Sequence, residues 1–417
     1  MSVKKPLEGV KVIEMSTFIA VPACARFFAE FGADVIKVEP KTGDQVRFNG
    51  ESEGRLGDPY ENTTFDLENA HKRSLVVDLK SPEGREVLFK LLKDTDIFVT
   101  NWRPQALQKL GLDYESLKEK FPKIVYASLT GFGETGPDWE LPGYDFTSFW
   151  ARGGLLGTLY QKDSEPINLI PGMGDHITGM LMASGIMTAL YSAEKTGKGD
   201  YVTINLLHTA IWVQGIAIQA AQYEGLGQVY PISRKTAENP FNNTYQSKDG
   251  RHIQISMPPF DLFYPKFMPL IGRADLVGNE NYKINNITRN KLHGEFVQIL
   301  SDAFAQKTAD EWSKILTEGD IPFSICYTWE EVLKDRQAWA TGVFEEFDYP
   351  SAKRTVIRPP VRIQGADVLP YEIAPMLAED SEDILRELGY TDDQLKEMHE
   401  KGIYNTWEDV KGYVMSR

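Results

Sequence analysis

The residues best placed to do chemistry in this chain are aspartates set beside glycines. Asp175 lies in GMGDHITGM, flanked by Gly172 and Gly174 and followed by a long apolar run. Local sequence reads it first as a helix N-cap, a common use of aspartate. A carboxylate at a helix N-terminus also sits in a field that favours its ionised form, so a cap and a reactive group can coexist there. Asp145 follows Tyr144 in PGYD, where a turn residue is the plain alternative. Other chemistries lack their patterns. There is no HExxH, no His/Cys cluster and no EF-hand loop, which argues against a catalytic metal. A GxSxG elbow and a GxxxxGK[ST] phosphate loop are also absent, which disfavours a serine hydrolase and use of a nucleoside triphosphate. The six histidines are dispersed, and a structural role is the simpler reading for each. Cys24 has no basic neighbour pattern to activate it.

Positioning such groups falls to alternating strands and helices. Residues 10–15 (VKVIEM) read as a strand, 22–31 as a helix stopped by Gly32, and 34–39 (DVIKVE) as a second strand. Together they make a βαβ unit. Strands at 74–79, 96–101 and 124–129 and a helix at 82–92 continue the pattern. The fold class is therefore α/β, a doubly wound parallel sheet with helices on both faces. Residues 174–191 and 208–223 read as long apolar helices, buried in the fold or in a subunit interface, with Gly179 and Gly185 permitting close packing. A strand at 201–206 separates them. A smaller α+β domain follows, with a strand at 252–257 and helices at 263–271 and 292–304. Residues 349–370 read as a Pro-rich, strand-like return linker, and 379–398 as an amphipathic helical pair. The expected division is residues 1–225 for the large domain, 226–345 for the small one, and 346–417 for the linker and the remainder of the large domain.

The first βαβ unit invites a dinucleotide reading, with Glu39 where a ribose-binding acid would sit. Its loop, MSTFIAVP, contains no glycine, so the turn that lets backbone approach a pyrophosphate is missing.

The 417 residues exceed the size at which a single core stops growing, which implies two domains. With 42% hydrophobic and 25% charged residues, disorder is a poor reading. The net charge of −15 argues against nucleic acid and anionic membranes as partners, though it says nothing about one pocket. No window is apolar enough for a membrane span, and the opening MSVKKPLEGVKVIE runs into a strand rather than a leader, so a cytoplasmic location with reduced thiols is expected.

Seven segments in order carry a resemblance. They are residues 7–40 with Gly43, Asp44 and Arg47; HKRSLVVDLKSPEG; TNWRP; GFGETGP; PGYD; GMGDHITGM; and KTGKGDYVTINL. Together they resemble the class III CoA-transferases, the formyl-CoA transferase or CaiB/BaiF type. ENTTFDLENA, ARGGLLGTLY, PGMGDH, IQAAQYEGLGQVYPISR and MPPFDLFYPKFM are similar to the 2-hydroxyacyl-CoA transferases of amino-acid fermentation.

The resemblance implies a Rossmann-like large domain with a smaller inserted domain, and two chains interlocked as rings. It implies transfer of CoA from an acyl-CoA or 2-enoyl-CoA, of the cinnamoyl-CoA or isocaprenoyl-CoA type, to a 2-hydroxy acid such as (R)-phenyllactate or 2-hydroxyisocaproate. A 2-hydroxyacyl-CoA dehydratase is an implied partner. Asp175 matches the family nucleophile. Gly172 and Gly174 would bring backbone N–H groups to the reacting carbonyl, and Asp145 would support Asp175. Coenzyme A would be held by Thr17, Phe18, Ile19 and Ala20, by Val77 and Lys80, and by Asn101, Trp102, Arg103 and Lys109. Since CoA carries about four negative charges, Lys80, Arg103 and Lys109 should form a basic groove against the acidic whole. Ile19, where oxalate enzymes carry Gln, suits an apolar acyl chain. Phe260, Phe263 and Tyr264 are candidates to line that chain's pocket, with core packing the simpler reading. Other readings remain: a bile acid, carnitine or dicarboxylate enzyme of the same class, a 2-methylacyl-CoA racemase, a CoA-ester hydrolase, or a non-catalytic paralogue. A racemase of this fold carries a histidine where this chain has Tyr144, a poor base at neutral pH.

Overall fold

The computed structural model describes residues 4–50, 54, 58–223 and 230–416. The chain divides into two compact units. One comprises Met1–Gly154, Asn168–Gln214 and Arg336–Arg417; the other comprises Leu155–Ile167 and Gly215–Asp335. The boundary expected at 225/226, and part of the IQAAQYEGLGQVYPISR string, lie outside the described residues.

In the first unit, β1 (Lys11–Met15), β2 (Asp34–Glu39), β3 (Arg73–Val77), β4 (Ile97–Thr100), β5 (Val125–Thr130) and β6 (Tyr201–Asn205) form one parallel sheet. The order across it is β3-β2-β1-β4-β5-β6, and Tyr404–Asn405 adds an antiparallel edge beside β3. Val, Ile and Phe on β1 and β4 are buried on both faces, as a parallel sheet covered by helices requires. The helices are α1 (Ala20–Glu30), α2 (Thr63–Asn69), α3 (Pro82–Leu92), α4 (Pro104–Leu110), α5 (Tyr114–Leu117), α6 (Met173–Thr196) and α7 (Leu206–Val213). α1 begins two residues earlier than its pattern suggests. Pro22 is tolerated because an N–H in the first turn has no intrahelical partner to lose. α6 packs on α1 through Gly179, where any Cβ would strike the Ala20 carbonyl. α6 ends at Gly197, in the left-handed conformation that closes a helix.

Two expectations are corrected here. The apolar stretch 208–223 is not one helix: α7 ends at Val213, and a second helix runs Gly215–Ala220. Nor is it buried within the chain, because Ile211, Trp212, Val213 and Ile216 are all exposed. The return segment holds a hairpin, Phe344–Asp348 with Lys353–Ile357. The fully buried Arg358 after it binds Glu30 of α1 at 2.7 Å and the Leu369 carbonyl at 2.8 Å. The C-terminal helices Ser381–Glu387 and Asp392–Glu400 complete this unit.

The second unit is built on an antiparallel sheet of Asn242–Gln246, His252–Ser256 and Phe323–Ile325. Phe260 and Tyr264 are buried in its core, with Phe263 packed against them, so these aromatics hold the unit together.

Candidate active site

The strand order reverses between β1 and β4. Ligands of doubly wound sheets bind beyond the carboxyl ends of the strands at such a point. The floor of this point is a buried ion network. Glu14 of β1 pairs with Lys37 at 2.8 Å and Lys72 at 2.6 Å, and Lys37 also pairs with Asp44 at 3.1 Å. Burial alone would raise the Glu14 pKa, but the two ammonium groups bring it down to about 2. Burial brings Lys72 down to about 8, with Glu14 opposing. The network holds the loop after β1. Lys37 donates to the Ser16 carbonyl at 3.2 Å, and the Phe18 amide donates to Asp44 at 3.1 Å. Phe18 has φ of 65°, a conformation costly for a side chain without such support. Glu39 is taken up by Arg47, at 2.7 and 2.9 Å, so it does not present a free carboxylate to a ribose.

Above this floor lies a cavity of about 290 Å³. Thr17, Phe18 and Ala20 form one side, and Asn101, Trp102 and Arg103 another. Trp139, Leu141 and Tyr144 add an apolar wall, and Asp175 faces in. Asn101 bridges two sides by exchanging hydrogen bonds with the Thr17 backbone, at 3.1 and 2.7 Å. Phe18 meets Tyr144 edge to face at 5.3 Å. Four helices begin at this cavity: α1 at Ala20, α4 at Pro104, α6 at Asp175 in its first turn, and α7 at Leu206. Their N-termini bring partial positive charge to one place.

Asp175 is not the helix cap. Gly172 is, in the left-handed conformation with φ of 75°, and Asp175 stands at the third helical position. Its pKa is pushed up from 3.8 to about 7, first by burial and then by the negative charge of Asp145, with His176 opposing. Asp145 opens a π-helical segment, Asp145–Arg152, and is almost fully buried. Its Oδ2 accepts from the Gly172 amide at 2.8 Å and from Trp150 Nε1 at 3.3 Å. Burial raises its pKa too, against these hydrogen bonds. The Gly172 N–H is therefore committed to Asp145 rather than open to an oxyanion, which corrects the role expected of it. Gly174 serves by close approach: a Cβ there would overlap Asp145 Oδ1 and the Phe149 ring.

The residues singled out in the sequence divide as follows. Thr17, Phe18, Ala20, Asn101, Trp102, Arg103 and Asp175 line one cavity. Ile19 lies against Gly172, whose Cβ would fall 2.8 Å from Ile19 Cδ1. Val77 is buried in the sheet core. Lys80 and Lys109 are exposed and do not line the cavity, leaving Arg103 as the cation among its lining residues. At this cavity Arg103 stands with Glu140 and Asp175 rather than with Lys80 and Lys109. Sequence reasoning missed Trp139 and Leu141, and it missed Glu68, whose carboxylate meets His176 at 2.7 Å. The signal for Glu68 lay in the ENTTFDLENA string. Among the described residues no group of three or more His, Cys, Asp or Glu could hold a metal ion, and no helix is long and apolar enough to cross a membrane.

Residues 7–381 match the CoA-transferase family III. The chain belongs to that family. This family III CoA-transferase is 49% identical over 392 residues to the cinnamoyl-CoA:phenyllactate CoA-transferase of Clostridium sporogenes, covering 94% of this chain and 95% of the relative. It is 39% identical over 399 residues to the (R)-2-hydroxy-4-methylpentanoate CoA-transferase of Clostridioides difficile, covering 95% and 99%. Among solved structures it is similar to a CaiB/BaiF family protein from Brucella suis, with a TM-score of 0.76 and 30% identity over 92% of this chain and all of that one.

Proposed function

We propose that this family III enzyme moves CoA from an acyl-CoA or 2-enoyl-CoA to a 2-hydroxy acid with an aryl or branched apolar side chain, using Asp175 as the nucleophile. The observation that carries the reading is the placement of a half-buried carboxylate at the switch point, in a cavity walled by Phe18, Trp102, Trp139 and Tyr144. Aromatic walls favour aromatic and apolar acyl groups, in line with the acids named for the two clostridial relatives. Ile19 beside the Asp175 turn adds no donor for a second carboxylate, which disfavours small diacids.

The steps balance without an outside energy source. An Asp175 carboxylate oxygen attacks the thioester carbonyl, the C–S bond breaks, and CoA leaves as thiolate, giving a mixed anhydride. The thiolate then attacks the aspartyl carbonyl and releases the first acid, leaving an aspartyl-CoA thioester. The carboxylate of the 2-hydroxy acid attacks that thioester and expels the thiolate again. The thiolate finally attacks the substrate carbonyl, and Asp175 returns as carboxylate. The apolar walls around Asp175 serve this sequence twice: they thin the water around the nucleophile, and with an acyl group seated they limit water at the anhydride. Arg103 and the helix N-termini suit the anionic groups of CoA.

We place the enzyme in the cytoplasm as an interlocked homodimer that supplies a 2-hydroxyacyl-CoA dehydratase. The exposed apolar residues of α7 support an extensive interface, and sedimentation tests it: a monomer at micromolar concentration removes the dimer. The substrate reading is tested with labelled CoA donors and a panel of acids. Aryllactates and 2-hydroxyisocaproate should be preferred. Preference for dicarboxylates, carnitine or bile acids would overturn the assignment.

A further inference from the structure

His176, next to the nucleophile, was read from the sequence as structural, but its surroundings assign it more. Its Nδ1 lies 2.8 Å from the Gly172 carbonyl oxygen, and its Nε2 lies 2.7 Å from Glu68 Oε1. A carbonyl oxygen can only accept, and an ionised carboxylate can only accept, so this geometry is satisfied by a ring that donates from both nitrogens. The Glu68 side chain is almost wholly buried, at 2% exposed, while the imidazole is about 42% exposed. An ionised Glu68 at that depth requires a cationic or donor partner, and His176 is its ion-pair partner. The Gly172 carbonyl also accepts from the His176 amide at 2.9 Å. The two peptide units that meet at the Gly172 Cα are thus each held: Asp145 takes the Gly172 N–H, and His176 holds the Gly172 C=O.

We propose that His176 is a positioning residue, held as an imidazolium by Glu68, which fixes the left-handed Gly172 cap and keeps the Asp175 carboxylate ionised for attack. The inference rests on the reading of Asp175 as nucleophile. The charged groups facing the ring are Glu68 from α2 and Asp175 on its own helix; Asp145, from the π-helical segment, faces Asp175 in turn. Burial and the two carboxylates push Asp175 towards the neutral acid, and the imidazolium is the opposing charge. For the ring itself, burial would lower the pKa, but the hydrogen bond and charge of Glu68 carry it to about 9. The charge is therefore present throughout the neutral range.

The experiment has two arms. The first uses the substrate-free enzyme, labelled with 15N in its six histidines. The His176 signals, assigned by their loss in His176→Asn, should show two protonated nitrogens at about pH 7.5, and in Glu68→Gln the ring should titrate within the neutral range. A neutral ring in the wild type, accepting a proton from a protonated Glu68, would overturn the proposal. The second arm is the pH profile of kcat/KM for His176→Asn and His176→Gln. Loss of the cation should move the acid limb up by about one unit, and His176→Lys should return it partway. Two variants that lower the rate equally at every pH, with the limb unmoved, would reduce His176 to a packing role. Because the first arm needs no substrate, it stands even if Asp175 proves not to be the nucleophile.

Discussion

Asp175→Asn should stabilise the fold while abolishing turnover. The side chains are nearly isosteric, so the change is one of charge. In the folded enzyme the Asp175 pKa stands at about 7, raised from 3.8 by burial and by Asp145. The unfolded chain ionises near 3.8 while the folded site does not, so the wild type loses stability as pH rises from about 4 to about 7. Above that range the loss is constant; below it the two proteins should coincide. The rise of about three units corresponds to at most about 4 kcal/mol. Partial solvation of Asp175 and sharing of charge with Asp145 reduce this, and a gain of about 1–2 kcal/mol at pH 8 is expected. For a chain of this size that is a rise of about 1–2 °C in Tm. Urea or thermal unfolding of both proteins across this pH range is the assay. Equal stability at all pH values, or a less stable variant at pH 8, would refute the argument that the site holds its carboxylate against burial and a like charge.

Asp145→Asn removes the like charge but leaves an oxygen for the Gly172 amide. The acid limb of kcat/KM should fall by about one unit, and an unchanged limb would show that Asp145 does not set the Asp175 charge. Gly174→Ala places a Cβ in overlap with Asp145 Oδ1 and Phe149. The displaced Asp175 should cost about 10²-fold in kcat, and a variant with wild-type turnover would mean the site tolerates movement. Arg103→Ala should raise KM for the CoA donor about tenfold with little change in kcat, and an unaltered KM would move CoA binding away from this cavity.

Much of the large unit was legible because its signals are local. α3 runs over Pro82–Leu92 as read, since Ser81 accepts from the Gly84 amide and Pro82 supplies the fixed first turn. β2 likewise matches Asp34–Glu39, bounded by the glycine turn before it. The break after α7 escaped the reading because the apolar pattern continues across Gln214 and Gly215 without a proline. The position of Asp175 in α6 was also beyond local sequence. It depends on the left-handed Gly172, whose amide is claimed by Asp145, 27 residues away. Lys80 and Lys109 came with the segments that carry the resemblance, and a matched segment does not say which of its side chains meets this cavity. The convergence of four helix N-termini follows from the strand order and is invisible to any single motif. Glu68 and His176 are 108 residues apart, and only the packed fold makes them partners.

The central claim is that Asp175 carries the acyl group and then CoA. Incubating the enzyme with an acyl-CoA donor and trapping with hydroxylamine or borohydride, followed by peptide mass spectrometry, tests it directly. Modification at Asp175, dependent on the donor and absent from Asp175→Asn, is the expected result. Full turnover with Asp175 unmodified would contradict the account.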